Sequence, residues 1–153
     1  MACIVRQFSG VTPRVAGKLS VHLENRLDEL QRVDTAIEEF AEQLDLPFSV
    51  VFQLRLVVEE LFMNVVNYAY DDAATHEILI TVECSDEQVE LHIVDDGKAF
   101  DPLTIDYAVK EDEKLEEMEI GGKGWTLIRA YMDDIEYAYE DGKNHLKLVK
   151  TLT

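Results

Sequence analysis

The chain reads as one α/β (α+β) domain, a two-layer sandwich in which a mixed sheet carries helices on a single face. Three observations predict it. Five short segments alternate apolar and polar residues, and two long segments repeat their apolar residues at helical spacing. Their order is strand, two helices, two strands, a long irregular segment, a helix and two strands. With 153 residues, 47% of them hydrophobic, there is material for one core, and no internal repeat or second domain is visible.

Residues 1–16 read as an N-terminal extension and 17–153 as the domain. Within the extension Cys3 to Phe8 offers a short strand, and Thr12-Pro13 breaks what precedes it. Lys18 to Leu23 sets Leu19, Val21 and Leu23 against polar neighbours, which predicts a strand. Asn25 is then placed to cap a helix whose apolar positions are Leu27, Leu30, Val33, Ile37, Phe40, Ala41 and Leu44. Pro47 interrupts, and a second helix follows to about Tyr70. After a loop at residues 71–74, Ile78, Ile80, Val82 and Cys84 mark one strand and Val89, Leu91 and Ile93 the next, joined at Ser85-Asp86-Glu87. Residues 98–120 lack periodicity and are acidic between Glu111 and Glu119, the pattern of a lid or binding loop. A helix from about Trp125 to Met132 leads to a hairpin. Ile135, Tyr137 and Tyr139 begin it, Asp141-Gly142 turns it, and Leu146 and Leu148 face the core.

The formal net charge of -18 excludes a phosphate-backbone partner, which rewards the Lys and Arg clusters missing here. It also disfavours anionic membranes. A partner with a basic surface fits, although much of this acid serves solubility alone. Cys3 and Cys84 are too few for a disulfide framework, which suits a cytoplasmic setting. His22, His76, His92 and His145 are scattered without zinc spacing. No apolar run reaches the roughly 18 residues that span a bilayer, and no signal peptide is legible.

Three segments carry candidate chemistry. In LRLVVEELFMNVVNYAY, Leu54 to Tyr70, a thin polar stripe crosses an otherwise apolar helix: Gln53, Glu60, Asn64, Asn67 and Asp71 share one face. Glu60 and Asn64 stand one turn apart, the first a candidate general base and the second a neutral oxygen ligand suited to Mg²⁺. The same pair also fits a hydrogen-bonded couple inside the helix layer. Glu59 can pair with Arg55 one turn earlier. In VELHIVDDGKAFDP, Asp95 follows Val89, Leu91 and Ile93 onto the core face, where a purine amine would explain a buried carboxylate. Asp96 points the other way, Gly97 lets the backbone pass close to a flat ring, and a plain turn after a strand accounts for the motif equally well. In IGGKGWTLI, glycines ahead of a helix expose N–H groups to an anion such as phosphate, with Lys123 as an extra cation; a glycine hinge or helix cap is the alternative. It is not a P-loop.

Together E-x-x-x-N, DxGxxFDP and GGxGxxLI, in this order, resemble the N, G1 and G2 boxes of the Bergerat-fold (GHKL) ATPases. Within that superfamily the stretch from Gly17 to Thr153, including the closing GKNHLKLVK, is most similar to the bacterial anti-sigma-factor serine/threonine kinases. The resemblance implies an ATP- or ADP-binding, Mg-dependent kinase. Glu60 would be its catalytic base, Asn64 its metal ligand, Asp95 the reader of the adenine amine, and residues 98–120 the ATP lid. The nucleotide-binding set it implies is Asn64, Asn67, Asp95, Gly97, Ala99, Phe100, Gly121, Gly122, Lys123, Gly124, Trp125 and Thr126. It implies further a sigma factor and a small antagonist protein as partners, and a homodimer. Three departures stand out: Ala99 replaces the second glycine of DxGxG, Tyr68 stands where many members have histidine, and the lid segment holds Lys110 and Lys114 but no arginine. The acid-rich lid motivates a second reading, a nucleotide-gated protein that sequesters a partner and transfers nothing. A detached histidine-kinase domain is a third, against which stands the absence of a phospho-acceptor helix ahead of the boxes.

Overall fold

Alternation is what the sheet is built on. In the computed structural model, which describes residues 15–104 and 122–152, strand β1 spans Val15–Glu24, β2 Glu77–Ser85, β3 Gln88–Asp95, β4 Asp134–Glu140 and β5 Lys143–Thr151. They form one sheet in the order β1-β2-β3-β5-β4. The register aligns Leu19, Val82, Leu91, Leu148 and Ile135 in one row, and Leu23, Ile78, Asp95 and Asn144 in another, all toward one face. On the opposite face Thr81, His92, Lys147 and Glu136 line up, with Lys147 paired to Glu90 at 3.1 Å.

Every pairing in this sheet is antiparallel, so the mixed sheet expected from the sequence is corrected. The helical crossover between β3 and β4 does make those two strands run the same way. However, β5 folds back from the Asp141-Gly142 turn and inserts between them, so they never pair. That turn has φ of 54° at Asp141 and 73° at Gly142, the left-handed pair that a tight hairpin requires.

Helix α1 spans Leu30–Gln43, α2 Phe48–Tyr68 and α3 Gly122–Tyr131. Val33, Ile37, Phe40 and Ala41 of α1 follow helical spacing into the core, as do Val50, Leu54, Val57, Val58, Leu61 and Phe62 of α2. Ile128 of α3 and Met132 just after it join the same buried cluster as the inward residues of the strands. An Arg55 guanidinium grips both oxygens of Asp34 at 2.6 and 2.7 Å and ties α2 to α1; the pairing of Glu59 with Arg55 suggested by spacing is thus replaced by a cross-helix bridge.

Three boundaries differ from expectation. Strand β1 starts at Val15, two residues inside the stretch read as an extension, and the strand suggested for Cys3 to Phe8 lies outside the described residues. Asn25 does not cap α1. It pairs with His76 across to the start of β2, donating from its N at 3.1 Å and accepting at Oδ1 at 2.8 Å, while a 3-10 turn over Leu27–Glu29 leads into the helix. Helix α3 begins at Gly122 rather than near Trp125, so its glycines lie in the first turn.

Candidate functional site

Helix α2 is the spine of the site, because it touches glycine-bearing segments near its middle and at its end. Near its middle, a Cβ added to Gly124 would lie 2.5 Å from Glu60 Oε2, so the glutamate carboxylate rests directly on the bare α-carbon in the first turn of α3. At its end, a Cβ on Gly97 would lie 2.5 Å from the Ala69 Cβ, 2.8 Å from the Ala69 carbonyl oxygen and 2.9 Å from Asp95 Oδ1. Ala69 follows Glu60 by nine positions, about 13 Å along the axis. That is the scale of an extended nucleoside triphosphate. The three sequence motifs therefore adjoin along one helix, with the DDG turn at its end and the glycine helix near its middle.

Asp95 ends β3 on the core face, as the alternation of Val89, Leu91 and Ile93 predicts, and it is 7% exposed. Among the described residues its hydrogen bonds converge on Oδ1, from Gly97 N and from Asn144 Nδ2, each at 2.9 Å. Burial pushes its pKa up, and these two bonds offset part of the shift. Burial also raises the pKa of Glu60, with the neighbouring Glu59 adding to it. A desolvated carboxylate facing a glycine-rich helix start is suited to hold a proton.

Asn64 lies one turn from Glu60. Its Nδ2 is buried without a hydrogen-bond partner among the described residues. An amide offers an oxygen to a cation and a nitrogen to an anion. A magnesium phosphate needs both, so this side chain fits that group.

Sequence reasoning missed Asn144. Its Nδ2 also donates to the carbonyls of Lys98 at 2.9 Å and Gly97 at 3.3 Å, and its Oδ1 accepts from Phe100 N at 3.1 Å and from the Tyr137 hydroxyl. This buried amide thus holds the chain from Asp95 to Phe100 in place. The signal was present: Asn144 precedes Leu146 and Leu148 on the core face, just as Asp95 follows Ile93. His76, whose ring nitrogens face Asp72 and Asp96, was missed as well.

Other expected residues fall differently. Trp125 is in the core, 5% exposed. Asn67, Ala99 and Phe100 are exposed near the rim, and Thr126 is half-buried. Gly121, the Lys123 side chain and the acidic part of the expected lid lie outside the described residues.

Comparison with known proteins identifies the family. The histidine kinase-like ATPase domain family matches residues 23–150. The serine/threonine-protein kinase BtrW of Bordetella bronchiseptica is 34% identical over 97 residues, covering 63% of this chain and 68% of that protein. The serine-protein kinase RsbW of Listeria innocua is 25% identical over 130 residues, 82% of each chain, and an anti-sigma F factor of Caldanaerobacter subterraneus is 26% identical over 114 residues, covering 73% of this chain and 77% of its own. Among solved structures, one of the RsbU and RsbW domains of Rv1364c from Mycobacterium tuberculosis superposes with a TM-score of 0.64 at 14% identity. It covers 90% of this chain, which spans 33% of that longer one, and at this identity the likeness concerns the fold alone. The chain belongs to the histidine kinase-like ATPase family, in its branch of anti-sigma-factor serine kinases.

Proposed function

We propose that this protein is an ATP-dependent serine/threonine kinase that works as an anti-sigma switch, binding a sigma factor and phosphorylating a small antagonist protein. The observation that carries the reading is the contact of the Glu60 carboxylate with Gly124, on the same helix whose far end meets Gly97 and Asp95. Asp95 presents Oδ2 to the exocyclic amine of adenine while Oδ1 stays bonded to Gly97 and Asn144. Backbone N–H groups in the first turn of α3 receive phosphate oxygens. Asn64 would hold magnesium through its oxygen and a phosphate through its amide nitrogen. When bound, that ion supplies positive charge against the phosphates.

A serine or threonine hydroxyl oxygen bonds to the γ-phosphorus as the bond from that phosphorus to the β,γ-bridging oxygen breaks. The hydroxyl proton goes to Glu60, and ADP leaves. Because burial raises the Glu60 pKa, the rate should rise with pH through a midpoint above the ordinary glutamate value. Glu60→Gln should abolish transfer of labelled phosphate while ADP affinity stays near wild type. Equal loss of both would mark Glu60 as structural and end the kinase assignment.

The reading carries with it a cytoplasmic setting and a homodimer. No helix among the described residues is long and apolar enough to cross a membrane. The acid between Glu111 and Glu119 favours one alternative, a nucleotide-gated protein that sequesters its partner without chemistry. Incubation with labelled ATP and a candidate antagonist separates the two, since robust serine labelling would dispose of the alternative.

A further inference from the structure

His76 occupies the join between the loop after α2 and the turn after β3. Its backbone is fixed by Asn25, which accepts from His76 N at 2.8 Å and donates to His76 O at 3.1 Å. Its ring stacks on Tyr70, with centroids 4.1 Å apart and planes inclined by 15°. Both ring nitrogens then face carboxylates. Nε2 is 2.7 Å from Asp72 Oδ1, and Nδ1 is 3.2 Å from each oxygen of Asp96. A neutral imidazole has one N–H and one lone pair, so it can serve only one of these acids and must turn a lone pair on the other. The imidazolium serves both.

The two acids belong to the two segments that frame Asp95. Asp72 lies in the loop that leaves α2 at Ala69, and Asp96 lies between Asp95 and Gly97. The segments touch again where Lys98 N donates to the Ala69 carbonyl at 2.9 Å and Lys98 Nζ meets Asp71 at 3.0 Å. The Gly97 backbone packs so closely on Ala69 that no Cβ fits between them. A small displacement of this loop would therefore move the DDG turn with it.

We propose that His76 is a positioning residue for the purine subsite: as an imidazolium bridging Asp72 and Asp96, it fixes the Asp95-Asp96-Gly97 turn against the end of α2, and nucleotide affinity falls when it loses its proton. The inference rests on the nucleotide reading above. Asp72 first and Asp96 second hold the His76 pKa above its ordinary value. Other groups near the join do not supply the same switch. Burial and the charges of Asp95 and Asp96 push the Tyr70 pKa far up, so that phenol stays neutral. Lys98 and Asp71 form an exposed pair, Glu77 turns to His22 at 2.8 Å, and His145 acts on Asp95 from β5. Variants at position 76 isolate the one group from these.

The sign follows from linkage. Below the raised pKa His76 is charged and the turn is braced; as pH rises through that value, the brace is lost and the Kd for ADP increases. Reciprocally, bound nucleotide must raise the His76 pKa further.

The test is calorimetric titration with Mg-ADP from about pH 6 to about pH 9, on wild type, His76→Gln and His76→Arg, bracketing the histidine range. Relative to His76→Gln, which shares the ligand's own titration, wild type should lose about threefold to tenfold in affinity across this range. His76→Arg keeps a charge, two donors and a stacking plane at every pH, so it should rescue alkaline binding. Proton NMR of the His76 ring in wild type gives a second reading that needs no variant: its pKa should rise on adding ADP. Parallel wild-type and His76→Gln profiles, failure of rescue by a folded His76→Arg, or a His76 pKa unmoved by ADP would overturn the proposal alone. A wild type that binds no ADP at any pH would overturn the nucleotide reading and the proposal with it.

Discussion

At Asp95 the demands of folding and of binding oppose each other. Burial disfavours its charge, and only Oδ1 is repaid by Gly97 and Asn144. For a carboxylate whose folded pKa lies above its unfolded one, the folded state binds more protons between the two values, so stability falls as pH rises through that interval. At neutral pH the ionised Asp95 therefore costs stability. Asp95→Asn keeps an oxygen for both internal donors and changes only the atom facing the ligand, where an amide nitrogen would meet the purine amine donor to donor. Urea unfolding should show the variant at least as stable as wild type at neutral pH, with the difference shrinking as pH falls. Its ADP affinity should drop about tenfold to a hundredfold, the worth of a hydrogen bond to a charged group. Unchanged affinity would mean that Asp95 does not read the purine. Asn144 has the opposite profile. Asn144→Ala strips a partner from Asp95, which keeps Gly97 N, from Phe100 N, which keeps the Tyr137 hydroxyl, and from the Lys98 carbonyl; it should destabilise the fold by about 1–3 kcal/mol for a buried group left unpaired, a loss that binding assays would also register.

Two glycines set how the elements meet, and they differ in what a methyl group would strike. At Gly124 the nearest atom is the end of the Glu60 side chain, which can swing aside. Gly124→Ala should therefore fold, with α3 helped by the better helix former, yet kcat should fall tenfold or more, since at least 1.4 kcal/mol of correct orientation is lost. At Gly97 the obstacles are the Cβ and carbonyl oxygen of Ala69, fixed in the last turn of α2. Gly97→Ala must push the turn off the helix, and both the unfolding midpoint and ADP binding should suffer. If both variants behaved alike, the claim that α2 is the common spine would fail. This spine was largely legible before any coordinates. The stripe of Glu60 and Asn64 and the alternation ending at Asp95 depend on side-chain period, which a sequence displays directly. Sheet order does not follow from period. The insertion of β5 between β3 and β4 is decided by a two-residue turn that returns the chain on the inner side, and no local pattern distinguishes that from the outer side. Asn144 escaped notice for a related reason: its role exists only once β5 lies beside β3, which sets it directly opposite Asp95. The burial of Trp125 was not legible either, because a motif position says which helix a residue is on, while the face is fixed by what α3 packs against.

At the scale of the whole molecule the dominant fact is 32 acidic against 14 basic side chains. The ion pairs formed are mostly partly exposed, as with Arg55 and Asp34 or Lys147 and Glu90, and such pairs contribute about 0–1 kcal/mol each. The excess of acid repels itself, which penalises the compact state relative to the expanded chain. Salt weakens both effects. Going from a Debye length of about 30 Å to about 8 Å, between roughly 0.01 M and 0.15 M salt, screens long-range repulsion among many carboxylates more than contacts at 3 Å. The balance therefore favours the fold, and the urea midpoint should rise with sodium chloride over this range. A falling midpoint would show that the few bridges outweigh the net charge. The same field attracts a basic partner, so association with one should slow over the same salt interval in which the fold gains stability. A protein whose partner binding weakens while its own stability grows can be recognised by stopped-flow and urea titration run side by side. Opposite slopes are the expected result, and parallel slopes would mean that contact chemistry rather than net charge governs the encounter.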